Sequence, residues 1–382
     1  MEEFSFSVPQ NIVAGRKTIE KLPEIAAKLG GKKAFIISGP HLNKIGAVAA
    51  CEALLKKAGI ESAAFTDCEG NPSVETVEKA TAMFQKSGAD FIVAYGGGSP
   101  MDVAKAVGVV AKYGGSITDY EGAHKVPGDI IPLIAIPTTA GTGSEVTAFS
   151  VITDHSRQYK LTVFSYKILP TYAILDADLI TTVPAGVAAA CGMDALIHAL
   201  EAYISTAASP FSDAMAEKAM ELIGGHVRRY VANRGDLEAA QAMLVGSLFA
   251  GIAFSFARLG NVHAMSHPVS AHFNVAHGVA NAILLPTIVD YNALEDHGKY
   301  RKIYNYIAEI PLGEDEFESF MLADEIRDLN DILGIPATLG EVGVKAEAIP
   351  AMAADAMKSG NIAVNPRSSR LEDIEMLYRK AM

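Results

Sequence analysis

The chain has 382 residues, half of them hydrophobic, with a formal net charge of −12 and a sequence pI near 5.3. That length and apolar content allow two cored domains and exclude a disordered chain, while the negative balance repels phosphate backbones and anionic lipid, against a nucleic-acid or membrane role. Three scattered cysteines, Cys51, Cys68 and Cys191, are too few for a disulfide framework or a thiolate zinc site and read as buried free thiols. The opening MEEFSFSVPQ has no basic stretch ahead of an apolar run. Apolar stretches elsewhere are broken well before the ~18 residues that a membrane span needs, so a cytoplasmic protein is expected.

The first half alternates short apolar runs with helix-like segments. Residues 34–38 (AFIIS) predict a buried strand, 43–58 a helix, 61–66 a strand, 73–87 an amphipathic helix and 90–95 (DFIVAY) another strand, with a helix after Pro100. PLIAIP and TYAILD continue the strand pattern, and residues 147–164 predict a hairpin around the polar DHSR. Such alternation indicates a mostly parallel sheet covered on both faces. After Pro184 the pattern changes to Ala-, Met- and Leu-rich segments of helical spacing, roughly 184–204, 210–232, 236–257 and 262–285. Two domains are expected, an α/β nucleotide-type domain over 1–182 and an all-helical domain over 183–382, with an active site in the cleft between them.

Two loops in the first half suit a phosphate ligand. The strand DFIVAY runs into Gly96, Gly97, Gly98, Ser99 and Pro100. Glycines let a ligand approach the backbone, Ser99 suits an N-cap, and Pro100 suits the first helical position. The free N–H groups of a helix start then favour an anion. Met101 stands where the third glycine of a G-x-G-x-x-G fingerprint would be, so a plain glycine turn also fits. The second loop, Thr138-Thr139-Ala140-Gly141-Thr142-Gly143, follows another strand, where open α/β sheets bind ligands, and favours the nucleotide reading.

The helical half holds a histidine-rich constellation. Asp194 and His198 lie four apart, on one helix face. His263, His267, His272 and His277 follow within 15 residues, with Pro268 placed to disturb any helix there. A lone histidine in apolar surroundings is ordinarily a hydrogen-bonded core residue, and His272 keeps that reading. The group, flanked by Ala, Val, Met and Phe, instead suits a Zn²⁺ or Fe²⁺ site built from imidazole and carboxylate.

With GGGSPMDVAK, PTTAGTGSEVT, the Asp194/His198 helix and HAMSHPVSAHFNVAHGVANAILLP, the sequence resembles the iron-containing (group III) alcohol dehydrogenases over essentially its full length. The resemblance implies a Rossmann-like cofactor domain followed by a helical metal-binding domain, and a homodimer or larger homo-oligomer. It implies that Asp194, His198, His263 and His277 hold Fe²⁺, with Zn²⁺ as the alternative, and that His267 lies beside the metal without ligating it. It further implies that Gly97, Gly98 and Ser99 hold the pyrophosphate of NAD or NADP, that Thr138, Thr139, Thr142 and Leu179 line its adenosine end, and that Asn71 and Lys160 make further cofactor contacts. The chain departs from the family at Gly39, often an aspartate that holds the ribose, and at Thr147, often an asparagine.

Three imidazoles and one carboxylate leave a coordination position for a substrate oxygen, which marks a catalytic site. A metal that lowers the pKa of a bound alcohol, or polarises an aldehyde, then assists hydride transfer. The expected function is therefore a metal-dependent alcohol dehydrogenase/aldehyde reductase acting on a small primary alcohol or diol. Phe149, Ile252 and Phe254 are candidate apolar pocket residues. Alternatives on the same fold are a zinc-dependent polyol (glycerol-type) dehydrogenase and a reductase of a small anionic aldehyde. A sugar-phosphate cyclase would need more Lys and Arg than the single Arg258 near the His-rich segment, and a non-catalytic binding protein would show no turnover.

Gly39 generates the first prediction. An acidic side chain there would bond the ribose 2′-OH and repel a 2′-phosphate, whereas glycine does neither. The wild type is expected to use both NAD(H) and NADP(H), and Gly39→Asp to shift kcat/KM toward NAD(H) by about 1–3 kcal/mol, the worth of a charge-assisted hydrogen bond. An unchanged ratio would show that residue 39 does not read the ribose.

Overall fold

The computed structural model describes residues 6, 8 and 10–382. The expectation drawn from the opening stretch falls mostly on residues outside this set. Backbone contacts divide the chain into two compact units. One comprises Val8–Thr139 and Ser144–Thr181; the other comprises Thr182–Met382 with Ala140–Gly143 and, near the start of the chain, Phe6.

The first unit runs β1 (Asn11–Gly15), α1 (Leu22–Lys28), β2 (Lys33–Ile37), α2 (Pro40–Lys44), α3 (Ala47–Lys57), β3 (Glu61–Phe65), α4 (Val74–Ser87), β4 (Phe91–Gly96) and α5 (Gly98–Tyr113). It continues through β5 (Gly122–Ala123), β6 (Leu133–Pro137), β7 (Phe149–Asp154), β8 (Tyr159–Phe164) and β9 (Tyr172–Asp176). A parallel sheet has the order β1-β9-β6-β4-β2-β3, and a smaller sheet has the order β5-β8-β7. β7 and β8 pair antiparallel, as the DHSR hairpin predicts.

The near-continuous apolar strands follow from burial on both faces. Successive side chains alternate sides. Phe35, Ile37, Ile92, Ala94, Leu133 and Ala135 enter one core, while Ala34, Ile36, Phe91, Val93, Ile134 and Ile136 enter the other. β3 and β4 lie on opposite sides of β2, so the winding reverses between β2 and β4. The carboxyl ends of those two strands frame the crevice where open α/β sheets bind ligands.

The second unit is helical: α6 (Ala185–Ile204), α7 (Pro210–Gly224), α8 (Val227–Ala232), α9 (Leu237–Ala257), α10 (Asn261–Phe273) and α11 (His277–Asn292). It ends with α12 (Lys299–Ile307), α13 (Phe320–Ile332), α14 (Ile349–Ala356) and α15 (Leu371–Lys380). α6 and α9 are long and apolar enough to cross a bilayer by length and composition alone, although glycine and charge interrupt their apolar runs as expected, at Gly192, Asp194 and Glu201 in α6 and at Gly246 and Gly251 in α9. Both are nevertheless mostly buried inside the protein, as helices that are apolar all round must be.

Several element boundaries also differ from expectation. The segment 43–58 is broken at Gly46, whose φ of 80° is left-handed. The helix expected over 210–232 is interrupted at Gly225 and His226, and that over 262–285 at Asn274, with φ 53°. Pro268, by contrast, sits inside α10 without ending it. The helix after the glycine loop begins at Gly98 with Gly97 as its N-cap, so Ser99 and Pro100 lie within its first turn. Cys51 and Cys68 are buried free thiols, but Cys191 is only partly buried.

A buried lysine ties α5 to the chain beyond the second loop. Lys105 Nζ donates to Ser144 Oγ at 2.9 Å, to the Thr147 carbonyl at 2.9 Å and to the Phe149 carbonyl at 2.7 Å. Asp102 accepts from Ser144 Oγ at 2.7 Å and from the Val151 N–H at 3.1 Å. Burial lowers the Lys105 pKa to about 8 despite Asp102 and Glu145. Thr147, the second departure from the family, is thus part of this cluster. Lys105→Met would leave the Thr147 and Phe149 carbonyls without this donor and remove the cation nearest Asp102, and is expected to cost about 1–3 kcal/mol of stability, the penalty for unsatisfied buried acceptors. Urea denaturation checks this, and a loss below about 1 kcal/mol, the worth of an ordinary hydrogen bond, would contradict it.

Candidate metal centre and cofactor-binding edge

α6, α10 and α11 of the helical unit bring their ligand-type residues together. One atom each from Asp194, His263 and His277 lies within 4.8 Å of the other two. His263 Nε2 and His277 Nε2 are both 3.7 Å from Asp194 Oδ1, and His198 Nε2 is 4.0 Å from it. His198 therefore sits slightly outside the tightest trio, its ring stacked between Phe254 and His263 at centroid distances of 4.5 Å. The spacing in sequence explains the convergence: Asp194 and His198 share a face of α6, while the turn at Asn274 folds α11 back so that His277, at its first position, meets His263. Close helix approach is required there. A Cβ on Gly278 would come within 2.2 Å of the Ala190 carbonyl oxygen on α6.

Electrostatics fit a cation. Asp194, His198 and His263 are buried, and the His277 side chain keeps 25% exposure, giving the ring one reachable side. Burial works against the Asp194 carboxylate, but the imidazoles of His198, His277 and His263 hold its pKa well below the ordinary range. Burial pushes the His198 pKa down to about 4, which keeps its imidazole neutral and its lone pair available. For His263, burial is outweighed by hydrogen bonds to Asp194 and Glu201, which lift the pKa to about 9. A bound cation would reverse that preference, because a metal-binding imidazole must be deprotonated. Asn281 Nδ2 donates to Asp194 Oδ1 at 2.7 Å and lies 3.1 Å from both His263 Nε2 and His277 Nε2. A carboxylate and imidazole nitrogens together are a natural donor set for Fe²⁺ or Zn²⁺.

His267 lies beside this ring. Its ring centroid is 6.3 Å from that of His263 and 5.3 Å from that of His277. His272 is apart, paired with Asp355 at 3.0 Å. Sequence reasoning missed Asn281 and Glu201. Both carry a legible signal: a polar side chain one turn from a candidate ligand, in an otherwise apolar helix. Of the proposed pocket residues, Phe254 packs on His198, Ile252 is buried on α9, and Phe149 stacks on Phe164 in the other unit at 4.7 Å.

In the α/β unit the candidate cofactor residues gather at the carboxyl ends of strands. Gly39 follows β2, Asn71 follows β3, Gly97, Gly98 and Ser99 follow β4, Thr138 and Thr139 follow β6, and Leu179 follows β9. Gly39 and Gly97 thereby flank the β2/β4 reversal. A Cβ on Gly97 would lie 3.2 Å from Thr139 Oγ1, so the two loops approach closely and a side chain there would have to push Thr139 aside by a few tenths of an ångström. Lys160, on β8, donates to Asn71 Oδ1 at 2.8 Å, and Asn71 itself has φ 53°. Ser38, just before Gly39, is fully buried with its hydroxyl donated to the Tyr95 carbonyl. A Cβ at Gly39 would lie 3.3 Å from the Cys68 carbonyl oxygen, a fit that needs only a small shift. Thr142 differs from the rest in belonging to the helical unit, where Gly141 packs on Cys191 and Gly143 on Gly251.

This α/β unit and helical metal ring together define a class, and comparison with known proteins agrees. Residues 9–177 match the family model for iron-containing alcohol dehydrogenase, and residues 188–382 match the C-terminal model of the same family. The chain belongs to the iron-containing alcohol dehydrogenase family. It is 39% identical over 381 residues to a 1,3-propanediol dehydrogenase of Klebsiella pneumoniae, covering 99% of this chain and 98% of that one. An NAD-dependent methanol dehydrogenase of Bacillus methanolicus is 36% identical over 379 residues, covering 99% of this chain and 100% of the relative. The crystal structure of a 1,3-propanediol oxidoreductase superimposes with a TM-score of 0.94 at 38% identity, covering both chains completely.

His277→Ala tests the ring, since removing one ligand from a four-ligand site is expected to remove most of the bound metal. Elemental analysis of the purified variant should find a small fraction of the roughly one divalent ion per chain expected of the wild type. Full occupancy in the variant would take His277 out of the ligand set.

Proposed function

We propose that this chain interconverts small primary alcohols or diols and their aldehydes, passing hydride to or from NAD or NADP, with Asp194, His198, His263 and His277 holding one divalent metal. The reaction class, oxidoreduction at a CH–OH carbon with a nicotinamide cofactor, goes with the family. The observation that supports the rest is the convergence of one carboxylate and three imidazoles in a buried, apolar setting. When bound there, Fe²⁺ or Zn²⁺ supplies the Lewis acidity that makes an alcohol hydroxyl acidic or a carbonyl electrophilic.

The chain's own residues do the remaining work. Asp194 brings negative charge that favours the cation over neutral donors. The partly exposed His277 marks the side from which a substrate oxygen approaches. His267, beside His277, is assigned to holding and moving the alcohol proton. Residues 1–182 supply the cofactor site, with the amides at the start of α5, from Gly98 and Ser99, facing the pyrophosphate and with Thr138 and Thr139 next to them. No lysine or arginine belongs to the histidine ring, which favours an uncharged substrate. A cytoplasmic homo-oligomer completes the reading. Light scattering checks the assembly, and β1 and β3, the two edges of the parallel sheet, are strands with a pairing edge to spare.

Two experiments test this. Nicotinamide absorbance with a panel of short alcohols, diols and aldehydes, run in both directions on metal-loaded protein, is expected to show turnover that a chelator abolishes. Absence of turnover with every substrate would overturn the proposal. His267→Ala is expected to keep its metal and lose roughly 10²-fold in rate, the scale of general acid–base help. Loss of metal along with rate would instead make His267 a ligand.

A further inference from the structure

Glu201 lies on α6, three residues beyond His198, and is 2% exposed in an apolar helical unit. Its two carboxylate oxygens have different partners. Oε1 accepts the Val262 N–H at 2.7 Å, and Oε2 lies 2.5 Å from His263 Nδ1. A carboxylate accepts only, so the proton of that second bond belongs to His263 Nδ1. In the neutral imidazole that a metal requires, His263 Nε2 is then the nitrogen with the lone pair, and it lies 3.7 Å from Asp194 Oδ1.

The first bond has a separate consequence. The N-cap of α10 is Gly260, which has no side chain to cap the helix, so its first N–H groups need acceptors from elsewhere. Asn365 Oδ1 accepts the Asn261 N–H at 3.1 Å, and Glu201 Oε1 accepts the next one. The absence of a side chain at residue 260 is what admits both: a Cβ there would lie 2.8 Å from Asn365 Oδ1 and 3.0 Å from Glu201 Oε1. The positive end of the α10 dipole also favours a carboxylate at this place.

Resting on the metal-site reading above, we propose that Glu201 is a positioning residue. One oxygen fixes the register of α10, and the other fixes His263 as the Nδ1–H tautomer that turns Nε2 toward the metal. Histidine ligands whose second nitrogen is held by a carboxylate gain basicity and a fixed ring orientation, and removal of that partner typically weakens metal affinity 10–100-fold. Glu201 does not touch the metal position itself.

Glu201→Gln separates the two jobs, because glutamine keeps the shape but offers one acceptor oxygen for two donors. Asn365→Ala is the control, since it removes the other α10 cap without touching His263. Co²⁺ affinity by chelator competition, the Co²⁺ absorption spectrum, and the melting temperature with and without chelator are measured on the full-length wild type and both variants. The expected result is a loss of tenfold or more in Co²⁺ affinity and an altered spectrum for Glu201→Gln. Its melting temperature in chelator should fall no further than that of Asn365→Ala, which should keep wild-type affinity. Unchanged affinity in Glu201→Gln, or an equal loss in Asn365→Ala, would overturn the proposal. A wild type that binds no Co²⁺ would overturn the metal-site reading itself.

Discussion

A buried carboxylate ringed by imidazoles governs the helical unit. Asp194 is 3% exposed, and an ion of that size loses several kcal/mol of hydration even after the protein relaxes around it. What surrounds it among the described residues is three imidazoles and one amide, and no lysine or arginine forms a simple ion pair with it. Imidazoles gathered round a buried carboxylate call for a proton or a metal cation among them. The helices are arranged to keep that cluster in place. Gly278 lets α11 press on α6, the turn at Asn274 returns His277 to His263, and α9 stacks Phe254 on His198. The apolar setting that makes the cluster costly on its own would also strengthen its hold on a cation, because charges attract more in a medium of low polarity.

The α/β unit follows a different constraint. A parallel sheet buried on both faces has no exposed side surface for a ligand, so the loops at its carboxyl edge take that role. The reversal of winding between β2 and β4 separates two of those loops, and the glycines at 39 and 97 stand on either side. Thr139 fills the space that a side chain at Gly97 would take. Behind the edge, the buried Lys105 joins α5 to Ser144, Thr147 and Phe149 by direct hydrogen bonds, fixing the chain just beyond the second loop.

Much of this was legible in the sequence, for identifiable reasons. Strands β2, β3, β4, β6 and β9 are short apolar runs bounded by turn formers, and α6 and α9 have an unambiguous length. β1 escaped because NIVAG is half exposed at a sheet edge and lacks a strong apolar pattern. Breaks at Gly46, Gly225 and Asn274 were invisible to periodicity, since the apolar spacing on either side continues across them. Pro268 misled in the opposite sense: α10 runs through it with neighbouring helices packed around. The candidate ligands were found because histidine is rare enough for a cluster to stand out. Glu201 and Asn281 were overlooked because one acidic or amide residue in a helix is ordinary, and their importance depends on contacts with residues about 60 and 87 positions away in the chain.

The central claim is that Asp194, His198, His263 and His277 surround one divalent cation. The most direct measurement is anomalous diffraction from crystals of the iron- or zinc-loaded protein, collected at the metal's absorption edge. The account predicts a single strong peak per chain, bonded to Asp194 oxygen and to the Nε2 atoms of the three histidines at roughly 2.0–2.2 Å. A peak elsewhere in the chain, or a fully loaded protein whose metal is not bonded to these four side chains, would contradict it.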